Sequence, residues 1–252
     1  MILLLGGTSD SAPIAEAIAQ QGYDILVSTA TDTPLSVGHH PRIQHRWGML
    51  NQIQMGELIT QQRIQALVDA THPYAAQVRA TAYDVAQQLN LPYFSFVRPP
   101  SIQNHTQELH FAADHEQAAH LAVTFQRSIL LTIGVRNLAP YVMAAKRIPL
   151  IVRVLPTDSS HQACLALNIP EKHIVLARGP FSVEDNQALI QQFNIGVVVT
   201  KDGGSAGGVP EKLQAAKEEG CEVIVVQRPL LPQQAVFSNV EQLVASLVTA
   251  LN

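Results

Sequence analysis

The sequence is poor in cysteine and in long apolar runs, and each shortage excludes a class of protein. It contains only two cysteines, Cys164 and Cys221, in 252 residues. They fall in segments of predicted helix and strand, so a disulfide framework has no support and a reducing cytoplasm is the expected compartment. The apolar run at residues 2–5 has no basic stretch before it and no small-residue cleavage site after it. We therefore expect neither a signal peptide nor a membrane span.

Charged residues are also scarce and unevenly distributed. They make up 14% of the chain, and the formal net charge is −4. No segment interleaves basic and aromatic residues, which counts against nucleic-acid binding. Residues 1–97 contain four arginines and no lysine, whereas twelve of the sixteen basic residues lie beyond them. An anionic substrate is therefore expected to bind mainly to the C-terminal half.

Two common catalytic motifs are missing. No tyrosine is followed by a lysine four positions later, since Tyr141 and Lys146 are five apart, and this counts against the short-chain dehydrogenase arrangement. The sequence also lacks G-x-S-x-G, the nucleophile turn of α/β-hydrolases.

The histidines do not form a recognisable metal site. One group is spaced five residues apart, so that on a helix each turns about 140° from the last and the three cannot share a face. A second group flanks a proline in a predicted loop, where we expect solvated side chains. The two groups are His110, His115 and His120, and His39, His40 and His45.

Short apolar runs alternate with segments of helical periodicity along most of the chain, and 47% of the residues are hydrophobic. This alternation predicts an α/β fold with parallel sheets and right-handed crossovers. Residues 98–111 are polar and irregular, with two consecutive prolines, and are interpreted as a linker. We therefore predict an N-terminal domain at 1–97 and a C-terminal α/β domain at 112–252, closed by a helix at 240–251.

A glycine turn follows the first predicted strand. Backbone N–H groups and the positive end of a helix dipole favour a phosphate at such a turn. The motif lacks the full G-x-G-x-x-G pattern, so a tight turn with Ser9 or Asp10 as helix cap is the alternative. The candidate cofactor residues here are Gly6, Gly7, Thr8, Ser9 and Asp10.

Two further strand ends carry polar residues suited to a crevice ligand. The second strand ends in Thr29 and Thr31 before the first acid, Asp32. Hydroxyl groups at that place favour NADP over NAD, although a polar loop explains them equally well. The third strand runs into Thr71 and His72, and a loop histidine without a catalytic role is the alternative.

The densest chemical cluster lies at 200–204, with sequence TKDGG. Lys201 can hold an anion, Asp202 can exchange a proton in a closed cleft, and the glycines expose backbone N–H groups. A flexible loop with a solvated Lys–Asp pair is the competing interpretation. Arg153 and Arg178 also lie near strand ends, where arginine suits carboxylate recognition, although each alone is commonly a surface ion pair.

These clusters resemble, in order and spacing, one family, the precorrin-6A reductases of cobalamin biosynthesis. The resemblance covers nearly the whole chain. It rests on ILLLGGTSD at 2–10, DATHPYA at 69–75, TIG at 132–134, RVLP at 153–156, ARGPFS at 177–182, and TKDGG at 200–204 with Gly207, Gly208, Glu211 and Lys212.

The resemblance implies two Rossmann-like domains with the active site in the cleft between them, where NADPH reduces a ring double bond of the tetrapyrrole. The glycine turn would hold the dinucleotide, and Thr71 and His72 would lie near the nicotinamide. No metal ligand set is expected. The predicted sites are catalytic Asp202, Lys201 and His72; cofactor-binding Gly6, Gly7, Thr8, Ser9, Asp10, Thr29 and Thr71; and substrate-binding Arg153, Arg178, Lys201, Ser205 and Lys212.

The chain departs from the family pattern after the second strand. Family members often carry an arginine or a glycine-rich stretch there, whereas this chain has STATDTPLS at 28–36. The choice between NADPH and NADH, and between a metal-free and a cobalt-containing substrate, therefore stays open. Two rival functions are another NAD(P)-dependent oxidoreductase acting on a small carbonyl compound, and a non-catalytic NAD(P)-sensing module.

Overall fold

The computed structural model describes residues 1–31, 36–102, 109–204, 208–229 and 236–252, in which the chain forms twelve strands and nine α-helices. The strands are β1 (Ile2–Leu5), β2 (Ile25–Thr29), β3 (Ile43–Trp47), β4 (Ala66–Asp69), β5 (Tyr93–Phe96), β6 (Leu109–Ala112), β7 (Ser128–Leu131), β8 (Leu150–Val154), β9 (Ile174–Leu176), β10 (Ile195–Lys201), β11 (Glu222–Val226) and β12 (Val236–Phe237). The helices are α1 (Ser11–Gln20), α2 (Gln52–Gln61), α3 (Ala76–Gln88), α4 (His115–Thr124), α5 (Ala139–Ala145), α6 (Asp158–Ala166), α7 (Val183–Gln192), α8 (Val209–Glu218) and α9 (Val240–Leu251).

The chain divides into two compact units, one made of Met1–Pro99 with Pro229–Asn252 and the other of Pro100–Arg228. Each contains one six-stranded sheet, with the orders β12-β5-β4-β1-β2-β3 and β6-β11-β10-β7-β8-β9. Every pairing is parallel. The predicted fold class of two parallel-sheet α/β domains is therefore confirmed.

The central strands of the first unit are apolar along their whole length because helices cover both faces of the sheet. Alternate residues of β1 point to opposite sides: Ile2 and Leu4 join the core under α1 and α9, while Leu3 and Leu5 join the core under α2 and α3. Because the strands are parallel, β1, β2 and β4 all end at one edge of the sheet. The glycine turn, Thr29 and the 69–75 motif therefore share that edge.

The second unit repeats this arrangement. Its core on one side of the sheet lies under α7 and α8, where Ile190 and Ala215 pack with Val198 of the central strand β10. On the other side, α4 contacts β10 and α5 contacts β8. The carboxyl end of β10 brings Lys201 and Asp202 to the sheet edge, as the sequence predicted.

In each sheet, one edge strand pairs with a strand that is far from it in the sequence. In the first unit, β12, at residues 236–237, pairs with β5 and adds a sixth strand to β1–β5. In the second unit, β6 precedes the other five strands and pairs with β11 at the far edge.

The observed units differ from the predicted domain boundaries at two places. The closing helix, assigned to the C-terminal domain at 112–252, belongs to the first unit, because Leu243 and Leu247 are buried against Ile14 and Ile18 of α1. The predicted linker at 98–111 is also too long, since β6 already begins at residue 109. Residues 103–108 of that linker lie outside the described parts of the chain.

Strand β3 was not predicted from the sequence. Its sequence, IQHRW, is mostly polar, and it forms the outer edge of the first sheet beside β2. His45, expected to be a solvated loop residue, lies in this strand. A strand with one exposed edge needs few apolar residues, so the usual hydrophobic signal is absent.

Candidate functional site

The glycine turn after β1 is closed by a serine hydroxyl. Ser11 Oγ accepts hydrogen bonds from Gly7 N at 3.1 Å and Thr8 N at 3.3 Å. Gly7 has a φ of 110°, and nothing lies within 4 Å of the position that a Cβ would occupy. A Cβ at Gly6 would instead lie 2.8 Å from Ser11 Oγ. Glycine is required at both positions, and the space beside Gly7 is open to a ligand.

Arg98 brings a positive charge to this turn. Its guanidinium lies 2.6 Å from Asp10 Oδ2 and donates to Ser9 Oγ at 3.1 Å. Asp10 marks the start of α1 without capping it through its side chain. An aspartate would repel a phosphate at a helix N-terminus, and Arg98 compensates for that charge. The turn therefore fits an anionic dinucleotide, with Gly7, Ser9 and Arg98 as the groups able to hold it.

The 69–75 motif is held in place by a buried ion pair. Asp69 and Arg79 are 0% and 2% exposed, and Arg79 Nε lies 3.3 Å from Asp69 Oδ2. Asp69 also accepts from Thr71 N, from Thr71 Oγ1 at 2.6 Å and from the Tyr93 hydroxyl at 2.6 Å. Arg79 Nη2 donates to Thr71 O at 3.0 Å. Thr71 is held on both sides as a result.

His72, in contrast, is exposed. Its Nδ1 accepts from Tyr74 N at 3.3 Å, and its ring lies 5.7 Å from the Tyr74 ring. The sheet edge therefore presents a histidine beside a rigid loop. Thr8 Oγ1 donates to Ala70 O at 3.1 Å, which ties this loop to the glycine turn.

The end of β2 is occupied by side-chain contacts with β3. Thr29 Oγ1 donates to Thr31 O at 3.0 Å and lies 2.9 Å from His45 Nε2. Because the hydroxyl has one proton, His45 is the donor in the second contact. Arg46 Nη1 donates to Ser28 Oγ at 2.6 Å. The predicted cofactor residue Thr29 is thus buried and bonded within the protein.

In the second unit, the structure brings the predicted anchors Arg153 and Lys212 into one buried group. Arg153 Nη2 donates to Asn186 Oδ1 at 2.9 Å, and its guanidinium stacks 3.9 Å from the centre of the Phe181 ring. Lys212 Nζ donates to Thr200 Oγ1 at 2.9 Å. Burial, aided by the charges of Arg153 and Lys201, lowers the pKa of Lys212 to about 7.

Lys201 lies among further polar groups that the sequence analysis did not assign. Burial and the charge of Arg136 lower the pKa of Lys201 to about 8. His115 Nδ1 lies 3.0 Å from the Tyr141 hydroxyl, and burial, followed by the charge of Lys201, lowers the pKa of His115 to about 4. The imidazole is therefore neutral at pH 7, and burial and neighbouring positive charge disfavour the charged forms of both His115 and Lys201.

Asp202 binds backbone rather than facing solvent. Its carboxylate accepts from Ser101 N at 3.0 Å, Ile102 N at 3.3 Å and Gly204 N at 3.0 Å. Arg228 Nε donates to Asp202 O at 2.8 Å. Asp202 thereby joins the first and last segments of the second unit to the end of β10.

The remaining predicted substrate residues are less informative. Arg178 is exposed. Ser205 lies outside the described residues, so its role stays a prediction.

The residues that sequence reasoning missed share one signal. Arg98, Arg136 and Arg228 each follow a strand within about five positions, where a parallel sheet places its ligand-binding edge. Arg98 was assigned to the linker because prolines follow it. An arginine close behind a strand end was the available clue.

Two parallel sheets of this order, one with a glycine turn and the other with buried cations at the strand ends, define an α/β protein of the dinucleotide-binding class. None of the helices in the described ranges is long and apolar enough to cross a bilayer.

Comparison with known proteins gives the family. Residues 1–248 match the family described as precorrin-6x reductase CbiJ/CobK. The chain is 35% identical to the cobalt-precorrin-6A reductase of Methanocaldococcus jannaschii, over 96% of each chain. It is 33% identical to the precorrin-6A reductase of Rhodococcus erythropolis, over 92% of this chain and 90% of the relative. The solved structure of CobK precorrin-6A reductase matches with a TM-score of 0.79 and 27% identity, covering 99% of this chain and 96% of that one.

The chain belongs to the precorrin-6x reductase family. It is an oxidoreductase of cobalamin biosynthesis, and reduction of a precorrin implies a reduced nicotinamide cofactor. The predicted family and enzyme class are confirmed.

Proposed function

We propose that the chain catalyses the NADPH-dependent reduction of a ring double bond of precorrin-6A, or of its cobalt form. The observation that carries the proposal is the buried cationic group formed by Arg153, Lys201 and Lys212, whose pKa values are all lowered by burial. Burying several cations together is unfavourable unless anions neutralise them. A tetrapyrrole intermediate with many carboxylates supplies such anions.

When bound, NADPH supplies a hydride to one carbon of the double bond, and a proton added at the neighbouring carbon completes the reduction. The protein positions the reacting groups and excludes water. In the first unit, Gly6 leaves room for Ser11, and the open space at Gly7 would give the pyrophosphate close access to the backbone. Ser9 and Arg98 would bind its charge, and Asp10 holds Arg98 in place.

Thr71 and His72 are proposed to lie beside the nicotinamide. The Asp69–Arg79 pair holds Thr71 in a single position, and a fixed loop orients a ring better than a mobile one. His72 is exposed at the same edge, and we propose that it faces the cofactor amide or the substrate. Thr29 contributes through the shape of the β2 end, because its hydroxyl is already bonded.

In the second unit, the substrate carboxylates are proposed to bind Arg153, Arg178 and Lys212. The planar guanidinium of Arg153 is held by Asn186 and Phe181 and is therefore preorganised for a carboxylate. A carboxylate beside Lys212 would stabilise its ammonium form and raise its pKa from about 7. Ser205 is retained as a proposed hydroxyl donor to the substrate.

Lys201 is the proposed proton donor. A lysine with a pKa of about 8 is mostly protonated at pH 7 and releases its proton more readily than an ordinary lysine. Asp202, the other predicted catalytic residue, accepts three backbone N–H bonds. We therefore assign it the task of holding the Lys201 loop in position.

The chain is proposed to work in the cytoplasm. Cys164 and Cys221 form no disulfide, which agrees with a reducing compartment. A cobalt ion would lie inside the substrate macrocycle, whereas the proposed contacts are to peripheral carboxylates. The same residues thus suit both the metal-free and the cobalt form.

An anaerobic assay tests the proposal. Purified protein is mixed with precorrin-6A or its cobalt form, and NADPH absorbance is followed together with the tetrapyrrole spectrum, with NADH as the comparison. Coupled changes with either substrate support the proposal and identify the preferred metal state and cofactor. If neither substrate reacts while NADPH still binds, the chain reduces a different compound.

A further inference from the structure

We propose that Arg46, carried by the edge strand β3, binds the 2′-phosphate of the dinucleotide and so selects NADPH over NADH. The inference rests on the proposed nicotinamide function and concerns a residue that neither the sequence motifs nor the family match assigns. It starts from the departure noted above, that no arginine follows the second strand of this chain before residue 36.

The topology identifies where the 2′-phosphate must lie. In parallel dinucleotide-binding sheets, the pyrophosphate binds at the turn after the first strand, and the adenosine ribose reaches the end of the neighbouring second strand. Here β2 lies beside β1, and β3 lies beside β2 on the outer side. The ribose would therefore meet the end of β2 and, next to it, the end of β3.

Acidic residues at the end of the second strand favour NAD, because they accept from the ribose hydroxyls and repel a phosphate. Residues 25–31 contain no acid. The register instead places Arg46 opposite Ser28, one residue before the end of each strand. A positive charge thus lies at the place where dinucleotide-binding folds distinguish NADPH from NADH.

The Arg46 guanidinium is held in place yet keeps donors available. Nη1 donates to Ser28 Oγ at 2.6 Å, and Nη2 donates to Trp47 O at 3.0 Å. A guanidinium has five N–H donors, so three remain beyond these two bonds. The side chain is partly exposed, and no carboxylate within the described ranges forms an ion pair with it. Arginine in this state is suited to bidentate phosphate binding.

A second arginine close by supplies the contrast. Arg42 immediately precedes the same strand, at its opposite end, and forms an ion pair with Asp24 at 2.8 Å. Both arginines are accessible, but Arg42 is already neutralised and lies far from the carboxyl edge of the sheet. Arg42 is therefore a matched control for the loss of one positive charge.

The structure also supplies a spectroscopic probe. Trp47 follows Arg46 directly, is 58% exposed, and is the only tryptophan of the chain. Tryptophan fluorescence therefore comes from this place alone. Adenosine 2′,5′-bisphosphate and adenosine 5′-monophosphate differ only in the 2′-phosphate, so the difference between their affinities isolates that group.

The experiment measures the dissociation constants of both nucleotides by Trp47 fluorescence, with calorimetry as an independent readout, for the wild type, Arg46→Met, Arg46→Lys and Arg42→Met. Charge-assisted hydrogen bonds contribute about 1.5–3 kcal/mol, which corresponds to roughly 10–150-fold in affinity. We expect Arg46→Met to weaken the bisphosphate by about that factor and to leave the monophosphate unchanged. Arg46→Lys should retain part of the preference, and Arg42→Met all of it.

Steady-state kinetics then separate this inference from the proposed function. The ratio of kcat/KM for NADPH to that for NADH should fall in Arg46→Met through the KM for NADPH. Equal binding of the two nucleotides by the wild type, or an unchanged preference in Arg46→Met, overturns the role of Arg46 even if the enzyme reduces its substrate. Arg46-dependent bisphosphate binding without turnover of any precorrin supports the inference and contradicts the proposed function.

Discussion

The two units hold the charges of their predicted binding residues differently, although Asp202 and Arg228 of the second unit also form an ion pair. In the first, the carboxylates at the glycine turn and in the 69–75 motif are each paired with an arginine, Asp10 with Arg98 and Asp69 with Arg79. In the second, Lys201 and Lys212 lie close enough to repel each other, and burial lowers the pKa values of both. Neither Lys212 nor Arg153 forms an ion pair with a carboxylate that the structure describes.

This difference agrees with the ligand proposed for each unit. Paired charges fix loops without demanding a ligand, which suits a unit that orients a cofactor. Crowded cations raise the energy of the empty site, and an incoming polycarboxylate lowers it. The first unit is thus preorganised by its own contacts, whereas under the proposed function the second would be completed electrostatically by its substrate.

The largest expected effect is on turnover. In Lys201→Arg the positive charge is retained but no proton is released at neutral pH, so kcat should fall by about 10²–10⁴-fold with little change in KM. In the wild type, kcat should decline above about pH 8, where Lys201 loses its proton. Steady-state kinetics across that range check both statements, with the exposed Lys172→Arg as control. Wild-type kcat in Lys201→Arg would exclude Lys201 as the donor.

The first unit is tested by breaking its buried ion pair, Asp69 with Arg79. Arg79→Met leaves Asp69 charged and buried, so the free energy of unfolding should fall by about 3–5 kcal/mol. Urea denaturation measures the loss. Adding Asp69→Asn should recover part of it, because the unpaired charge is then removed. A loss below about 1 kcal/mol in Arg79→Met would mean that the pair does not hold the Thr71 loop.

In the second unit, we expect the free energy of unfolding to depend on pH through Lys212. The pKa of Lys212 is about 7 in the folded chain, against about 10.4 when unfolded. Between these values the unfolded chain binds the extra proton, so this lysine makes the free energy of unfolding rise with pH, by up to about 1.4 kcal/mol per unit. Lys212→Met should flatten that rise and be more stable than the wild type at pH 6.

Denaturation at several pH values, with Lys172→Met as control, measures the slope for Lys212. If the free energy of unfolding depends on pH identically in Lys212→Met and the wild type, folding does not lower the pKa of Lys212.

The smallest effect is expected at the exposed pair of Arg42 and Asp24. Both side chains are about half exposed, so Arg42→Met should change the free energy of unfolding by less than about 1 kcal/mol. The same denaturation experiment checks this value. A larger loss would show that pairing stabilises the first unit even at its surface, and would weaken the contrast between buried and exposed pairs.

The sequence predicts the central strands and the motifs at their ends well, because buried parallel strands are continuous apolar runs. The ends of β1, β2 and β4 were placed within one residue of their observed positions for this reason. Gly7, Thr71 and Lys201 follow from the same signal, since chemistry at a parallel sheet lies directly after the strands.

Edge elements and long-range pairings were not predictable in this way. β3 is polar, because one of its edges is open, and α9 has the same helical periodicity whichever core it covers. The bonds of Asp202 to Ser101 and Ile102 join residues about a hundred positions apart. No local pattern encodes such contacts, so its carboxylate was interpreted as a proton donor.

The position of β12 and α9 also sets the order in which the protein can be completed during synthesis. The second unit, Pro100–Arg228, is one uninterrupted stretch, whereas the first needs residues from both ends of the chain. The nascent chain therefore carries an unfinished first sheet, with β5 as an open edge, until residues 236–251 have left the ribosome. The unit whose first strands are made earliest is completed last.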